Sequence, residues 1–507
     1  MLKLLPSQVP HVEKIKKILE TNQFALDFSM LGAGKTYTSS HIAIDPAFGF
    51  RHIVVIAPVS VKVKWMEMKK TYKLPLTFAL SYSEVRSSRN AQPKHGLLRR
   101  HDYTVDREVD GEIKKTEKTD FIVTQLFKDM VAEGTLLVID EIQNVKNVTA
   151  QFTSCKCLVK QIVSSQNKSR VLLLSGSPID KKEQVTTLFR TLGVTKSDDL
   201  AVYDLYTRSL EWRGASDIED FCKKLDAVEV KRIIDYKYGG HVDDKMIREY
   251  CYDLFQYVAR PHISSAMDPP KVDYNLFKRN AFYHIQDQED MAALQAGIFQ
   301  LYDAIQKMAI NRDRPMGVMN ELNCITIALK AIETAKVKTF IRIAKQKLLT
   351  NPTMKVVVCV NYTDNLLAIA SGLSEFNPMI LNGSTTLLQR VSVIERFQST
   401  NLSHRLLVGN VQVCSTGIDL DDKNGNYPRF ALVSPNYNTI TLYQLGHRFQ
   451  RADTKSDATI HFVFGFGSDE VPILNSLARK STVMKETTKE QVEAGVVYPG
   501  DYERFDE

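Results

Sequence analysis

Eight consecutive residues, Ser29-Met30-Leu31-Gly32-Ala33-Gly34-Lys35-Thr36, have the types and order that wrap a chain of phosphates. They fit G-x-x-x-x-G-K-[ST] except that Ser29 stands for the first glycine. Gly32 and Gly34 let backbone amides crowd around phosphate oxygens where a Cβ would intrude. Lys35 is placed to reach β- and γ-phosphates and Thr36 to hold Mg²⁺. Ser29, Leu31, Gly32, Ala33, Gly34, Lys35 and Thr36 are therefore the candidate nucleotide contacts. The competing reading is a glycine turn at a helix start that binds nothing, and Lys and Thr both in register argue against it. A second group, Asp140-Glu141, ends the apolar run Leu136-Leu137-Val138-Ile139. Asp140 would hold the metal and Glu141 would orient or deprotonate the attacking water. An acidic pair after a strand is usually a solvated turn; beside Lys35 and Thr36, hydrolysis of a nucleoside triphosphate is the better reading.

Such chemistry needs a sheet that delivers several loops to one edge. Apolar runs of strand length recur at Ile53–Ala57, Phe121–Val123, Leu136–Ile139 and Val171–Leu174, with helix-period segments between them. Continuous apolar strands alternating with helices predict a parallel sheet covered on both faces, with ligands beyond the carboxyl ends of its strands. A second series follows at Lys355–Val360, Arg405–Val408, Phe430–Val433 and Ile460–Phe464. Between them, residues 195–335 read as helical, for example Glu219–Val230 and Asp287–Met308, with a junction at Pro269-Pro270-Lys271. The expected class is α/β, with lobes at 1–195 and 336–480, a helical insert and linker at 196–335, and a polar tail at 481–507.

Composition bounds the rest. The 507 residues are 44% hydrophobic and 25% charged, which excludes global disorder. No apolar run has the roughly 18 residues of a membrane span, and the N-terminus lacks a signal peptide's apolar centre. An intracellular protein of nucleus or cytoplasm, without a membrane partner, is expected. A net charge of +7 permits a polyanionic partner without requiring one. Seven cysteines without a Cys-x-x-Cys pair read as reduced thiols rather than structural zinc.

The string Val138-Ile139-Asp140-Glu141-Ile142-Gln143-Asn144-Val145-Lys146-Asn147 resembles motif II of superfamily 2 helicase-like ATPases. Its Lys-Asn ending is most similar to the Swi/Snf-type DNA translocases and to the neighbouring poxvirus-type nucleoside triphosphatase I group. Ile56-Ala57-Pro58-Val59-Ser60 with Trp65 and Glu67 resembles motif Ia and its downstream Trp and Glu, and Leu173–Ile179 resembles motif III. Leu381–Thr385 with Arg390 and Phe397 resembles the block after motif IV, and Ser415–Leu420 motif V. Gln444-Leu445-Gly446-His447-Arg448-Phe449-Gln450-Arg451 resembles motif VI, with both arginines in register. The resemblance spans about residues 5–465, in the family's order. Ser29, Gln143 and Asp419 depart from the usual residues; the last two touch coupling rather than hydrolysis.

This resemblance implies two tandem RecA-like parallel-sheet lobes, with the helical insert between motifs III and IV, and ATP with Mg²⁺ hydrolysed between the lobes. Arg448 and Arg451, three apart on a predicted helix with Gln444 at the fitting distance, would share a face and serve as arginine fingers. Gln8 is either an adenine-reading glutamine or plain surface, and Ser175 and Ser177 either couple ATP to nucleic acid or cap a turn. Residues 86–118, with Arg86, Arg89, Lys94, Arg99, Arg100, Lys114, Lys115 and Lys118, read as a hairpin around Asp110-Gly111. Six acids among them favour a solvated insertion over a DNA clamp. The favoured activity is a DNA-dependent ATPase translocating on duplex DNA. The alternatives are a strand-separating DNA or RNA helicase, and an ATP-binding protein of low turnover carried in a virion or on a polymerase. RNA polymerase or other transcription or repair machinery is the expected protein partner, and a DNA virus with its own transcription apparatus is one expected setting.

Overall fold

The computed structural model describes residues 3–109, 112–204, 208–268, 272–310, 315–468, 470–488 and 504–506. The chain forms two compact units, Met1–Pro269 with Val483–Gly495, and Pro270–Thr482 with Val496–Glu507. Among the described residues no helix is long and apolar enough to cross a membrane.

The first unit is built on a six-stranded sheet in the order Ser264–Ser265, Phe24–Asp27, Arg170–Leu174, Thr135–Asp140, His52–Ala57, Leu76–Ser81. Every pairing in it is parallel. The runs Ile53–Ala57, Leu136–Ile139 and Val171–Leu174 are apolar at every position because both faces are covered. Val54, Ile56, Leu137, Ile139, Val171 and Leu173 join one core, while Ile53, Val55, Leu136, Val138, Leu172 and Leu174 join the other. This is the period-two alternation of a strand with two dry faces. Each such side chain contributes about 1.5–3 kcal/mol by leaving water. Parallel pairing also brings Asp27, Asp140 and the residue after Leu174 to the same edge of the sheet.

The second unit holds a seven-stranded, all-parallel sheet in the order Met379–Leu381, Leu406–Asn410, Lys355–Val360, Arg429–Val433, Ala458–Gly465, Leu276–Tyr283, Arg504–Asp506. Val357, Cys359, Leu407 and Val433 face one core, and Val356, Val358, Leu406 and Leu432 the other. The fold is thus α/β with two parallel-sheet lobes, as the apolar runs implied.

Several expectations are corrected. Phe121–Val123 is not a strand of the parallel sheet; it ends Glu112–Val123, which pairs antiparallel with Leu98–Val109. Phe121 is buried while Ile122 is exposed, so only one side of this ribbon finds a core. Its expected turn at Asp110-Gly111 lies outside the described residues, as does the Pro269-Pro270-Lys271 junction. The stretch 196–335 is not one insert, since the division between the units falls inside it. It contains a full strand of the second sheet, Leu276–Tyr283, besides the helices Gly214–Lys237 and Gln288–Ile310. Nor is 481–507 simply a tail: the helix Val471–Thr487 runs into it, and Arg504–Asp506 adds an edge strand.

Candidate functional site

The strand Phe24–Asp27 delivers the chain into the glycine loop, and the helix Lys35–Ala43 leaves it. Gly32 and Gly34 have φ of 86° and 98°, the left-handed region that favours glycine. A Cβ at Gly34 would also come within 2.4 Å of Gln8 Nε2. Lys35 is folded into the loop, where its ammonium donates to the carbonyls of Ser29 (2.8 Å) and Met30 (3.1 Å). Thr36, in the first turn of the helix, is buried beside it. Gln8 is buried rather than plain surface. Its Nε2 donates to Ala33 O at 3.1 Å and its Oε1 accepts from Leu5 N at 3.0 Å, which seats it on the loop itself.

Asp140 closes the buried strand Thr135–Asp140. Burial above all, then the neighbouring Glu141, pushes its carboxyl up to about 6; a hydrogen bond from Trp65 Nε1 (2.9 Å) and the nearby Lys35 pull the other way. Loss of water destabilises the charged form, so a cation placed here is favoured twice, by attraction and by relieving that cost. Glu141 takes the left-handed conformation at φ 62°, rare for a branched-free acid and a stored strain of order 1–3 kcal/mol. Tyr82 shares its hydroxyl proton between the carbonyls of Asp140 (2.8 Å) and Glu141 (3.0 Å) and so braces the strained turn.

A polar chain continues from this turn. Gln143 Nε2 donates to Glu141 Oε2 at 2.5 Å, and Ser175 Oγ donates to Gln143 Oε1 at 2.7 Å. Ser177 N donates to Ser175 Oγ at 2.9 Å. Ser175 therefore does more than cap a turn: Gln143, a departure from the resembled motif, is the link between Glu141 and the segment after Leu174. Lys146, in the same stretch, is paired with buried Asp180 at 2.8 Å.

This set fits ATP with Mg²⁺. The loop glycines provide the cradle, Lys35 the cation, and Thr36 and Asp140 one hydroxyl and one carboxylate. Mg²⁺ characteristically takes one or two protein oxygens plus phosphate and water.

In the second unit, Gln444 lies buried in the helix Thr439–Gly446. Arg448 and Arg451 do not share a helical face, because the helix stops before them. Leu420 N takes the carbonyl of Arg448 at 2.8 Å, and the chain turns through Arg448 N to Leu445 O and Phe449 N to Gly446 O. Both arginines are instead tied to the segment resembling motif V. Arg448 Nε donates to Ser415 O at 2.8 Å, and Arg451 Nε to Asp419 Oδ1 at 3.0 Å. Asp419, the other departure, is thus the carboxylate partner of an arginine. Burial opposes its charge, but Arg451 and Lys423 hold its pKa below the usual value.

Several charges of the ribbon at 98–123 are engaged locally, within it or by the segment before it. Arg89 contacts Glu117, Arg100 Nε meets Asp102 at 2.9 Å, and Tyr103 OH donates to Asp120 at 2.9 Å. The sequence reading had not singled out Asp27, His11 or Tyr82, nor seen Trp65 as the partner of Asp140; no spacing rule links such distant positions.

No family model matches the chain. It is 20% identical over 509 residues to L364 of Acanthamoeba polyphaga mimivirus, a protein provisionally named as an ATP-dependent RNA helicase, covering 99% of this chain and 84% of that one. Two Sulfolobus solfataricus structures are also similar. A SWI2/SNF2 ATPase core in complex with double-stranded DNA shares 14% identity at TM-score 0.30, covering 98% of this chain and 95% of that one. The SWI2/SNF2 core domain alone shares 16% at TM-score 0.31, covering 98% and 92%. Neither structural likeness is close enough to bear on function. Over nearly its whole length the chain thus resembles a mimivirus protein whose name describes an ATP-dependent RNA helicase.

Proposed function

We propose that this chain is an ATP-dependent nucleic-acid motor, and specifically a DNA-dependent ATPase that translocates on duplex DNA. One observation carries the ATPase: Lys35, Thr36, Asp140 and Glu141 come from two loops at one edge of one parallel sheet, with the acid pair dry and braced. Lys35 binds the β- and γ-phosphates, Thr36 and Asp140 hold Mg²⁺, and Glu141 orients the water, with Gln143 and Ser175 fixing its carboxylate. Bound Mg²⁺ would neutralise charge on the phosphates. Gln444 belongs to the nucleotide contacts, and Arg448 and Arg451 are needed for turnover. Duplex DNA as the track is supported by the long spacing between the segments resembling motifs III and IV, which suits the Swi/Snf-type branch. The name carried by the mimivirus relative favours a second reading, a helicase acting on RNA.

The test is ATPase activity titrated with duplex DNA, single-stranded DNA and RNA, beside triplex- and strand-displacement assays. Stimulation by duplex DNA with triplex displacement is expected; stimulation by RNA with strand separation would replace it. Lys35→Ala should abolish turnover with the fold intact by circular dichroism, and retained turnover would sink the assignment. Negligible turnover with every nucleic acid would leave an ATP-binding protein.

A further inference from the structure

Behind the glycine loop lies a buried group that the hydrolytic set does not use. His11 stands one turn after Gln8 in the helix Val9–Thr21; Asp27 ends the strand entering the loop; Ser265 ends the short strand beside it. All three are at most 4% exposed. His11 Nδ1 is 2.9 Å from Ser265 Oγ, and His11 Nε2 lies 3.1 Å from Asp27 Oδ2. Nε2 faces the carboxylate as a close polar contact without an aligned hydrogen bond, while Nδ1 and the Ser265 hydroxyl share a hydrogen bond whose donor depends on the ring's tautomer. These residue types also make hydrolytic triads, but a serine this buried is no nucleophile.

The group ends on the loop. Asp27 Oδ1 accepts from Ser29 N at 2.9 Å, fixing the first loop residue. Ser29 Oγ in turn accepts from Met267 N (2.8 Å), Ser265 O accepts from Phe28 N (2.9 Å), and Ser29 O receives the Lys35 ammonium. A lone buried carboxylate would be costly. Burial does raise the pKa of Asp27, yet His11, then Lys35 and Ser29, outweigh it and leave the group ionised.

We propose that His11, Asp27 and Ser265 are positioning residues that hold Ser29, and through it the Lys35 ammonium, in the geometry that receives the triphosphate. They set ATP affinity without touching ATP. The inference rests on the ATP-binding reading of the loop, and wild-type binding of a fluorescent ATP analogue with Mg²⁺ checks that reading first: no binding overturns both.

Given binding, His11→Leu strands a buried carboxylate and should weaken the Kd for the analogue, and raise KM for ATP, about tenfold. Its kcat at saturating ATP and its far-ultraviolet circular dichroism should stay near wild type. His11→Gln, whose amide can donate toward Asp27, should restore most of the affinity, which a merely structural filler would not do. An unchanged Kd in folded His11→Leu, or a loss confined to kcat, overturns the proposal. Should His11→Leu fail to fold, Ser265→Ala removes a single oxygen and Asp27→Asn a single charge. Each should weaken binding about threefold or more, and wild-type Kd in both overturns it equally.

Discussion

In the first unit, the parallel strands ending in Asp27 and Asp140 flank the one that Ser175 follows, and the ionisable groups there are buried around one lysine. In the second unit the corresponding ends are amides. Asn361 follows Lys355–Val360, Asn410 ends its strand, and Asn436 donates to Asn361 at 2.6 Å. A carboxylate beside them, Glu333, is filled by four donors: Asn361 N and Nδ2 at 2.8 Å, and Tyr362 N and Asn365 Nδ2 at 3.0 Å. Arg448 and Arg451 are tied to a carbonyl and a carboxylate of their own unit. Two sheets of one architecture thus differ in where charge is left to work. The first concentrates acid and ammonium where a metal–phosphate complex would satisfy them; the second fills Glu333 with its own donors and holds Arg448 and Arg451 on the Ser415–Leu420 segment. Function follows the loops, since the scaffold is common to both.

The sharpest way to break this contrast is to separate binding from turnover. If the first unit holds the nucleotide and the arginines act only as charge develops, Arg448→Ala should cut kcat by about 10³-fold or more while ATP affinity is nearly kept. Lys35→Ala should lose both. Equilibrium binding of the ATP analogue, read beside steady-state kinetics, checks this. An Arg448→Ala chain that loses affinity and turnover in equal measure would erase the division of labour.

Buried histidines show the same asymmetry and set a smaller effect. His11 faces a carboxylate. His461 Nδ1 shares a hydrogen bond with the Tyr283 hydroxyl and lies near Lys347 and Arg279; burial first, then those cations, push its pKa down to about 3. The folded second unit therefore keeps His461 neutral, whereas the unfolded chain protonates it near pH 6.5. Below that pH the unfolded state binds the extra proton, so stability falls as pH falls; it is fully present above about 6.5 and costs about 2 kcal/mol by pH 5. Hydrogen exchange of peptides from the second sheet should accelerate between pH 7 and 5 after correction for intrinsic rates. His461→Gln, which keeps an acceptor for Tyr283 without a titrating ring, should flatten that slope. An unchanged slope in the variant would remove His461 as its source.

What could be read from the chain follows what local physics encodes. Leu136–Ile139 and Lys355–Val360 stand out because central parallel strands are dry on both faces and carry no alternation. Leu276–Tyr283 escaped because it lies next to the short strand Arg504–Asp506, and its Leu-Phe-Lys-Arg-Asn start, alternating in exposure, mimics a surface segment. The phosphate loop is legible since its eight residues are contiguous. The His11–Asp27–Ser265 group is not, as its members lie up to 254 positions apart and none has a diagnostic neighbour. Arg448 and Arg451 were legible as types, but their turn depends on a carbonyl taken by Leu420, a contact no helical periodicity encodes.

The smallest expected effect concerns Asp419, which stands where asparagine is usual in the resembled motif. Its pair with Arg451 is half in water: the arginine side chain is 11% exposed and the carboxylate 49%. Ion pairs of that exposure are worth about 0.2–1 kcal/mol, so Asp419→Ala should change kcat only about two- to fivefold, by letting Arg451 wander rather than by removing its charge. Salt should imitate the substitution, with wild-type turnover falling toward the variant's as ionic strength screens the pair. Asp419→Asn keeps an acceptor without the charge and should fall between them. If Asp419→Ala instead loses as much as Arg451→Ala, the carboxylate acts in turnover itself, and the contrast between a first unit whose acids work and a second whose Glu333 and Asp419 hold structure is lost.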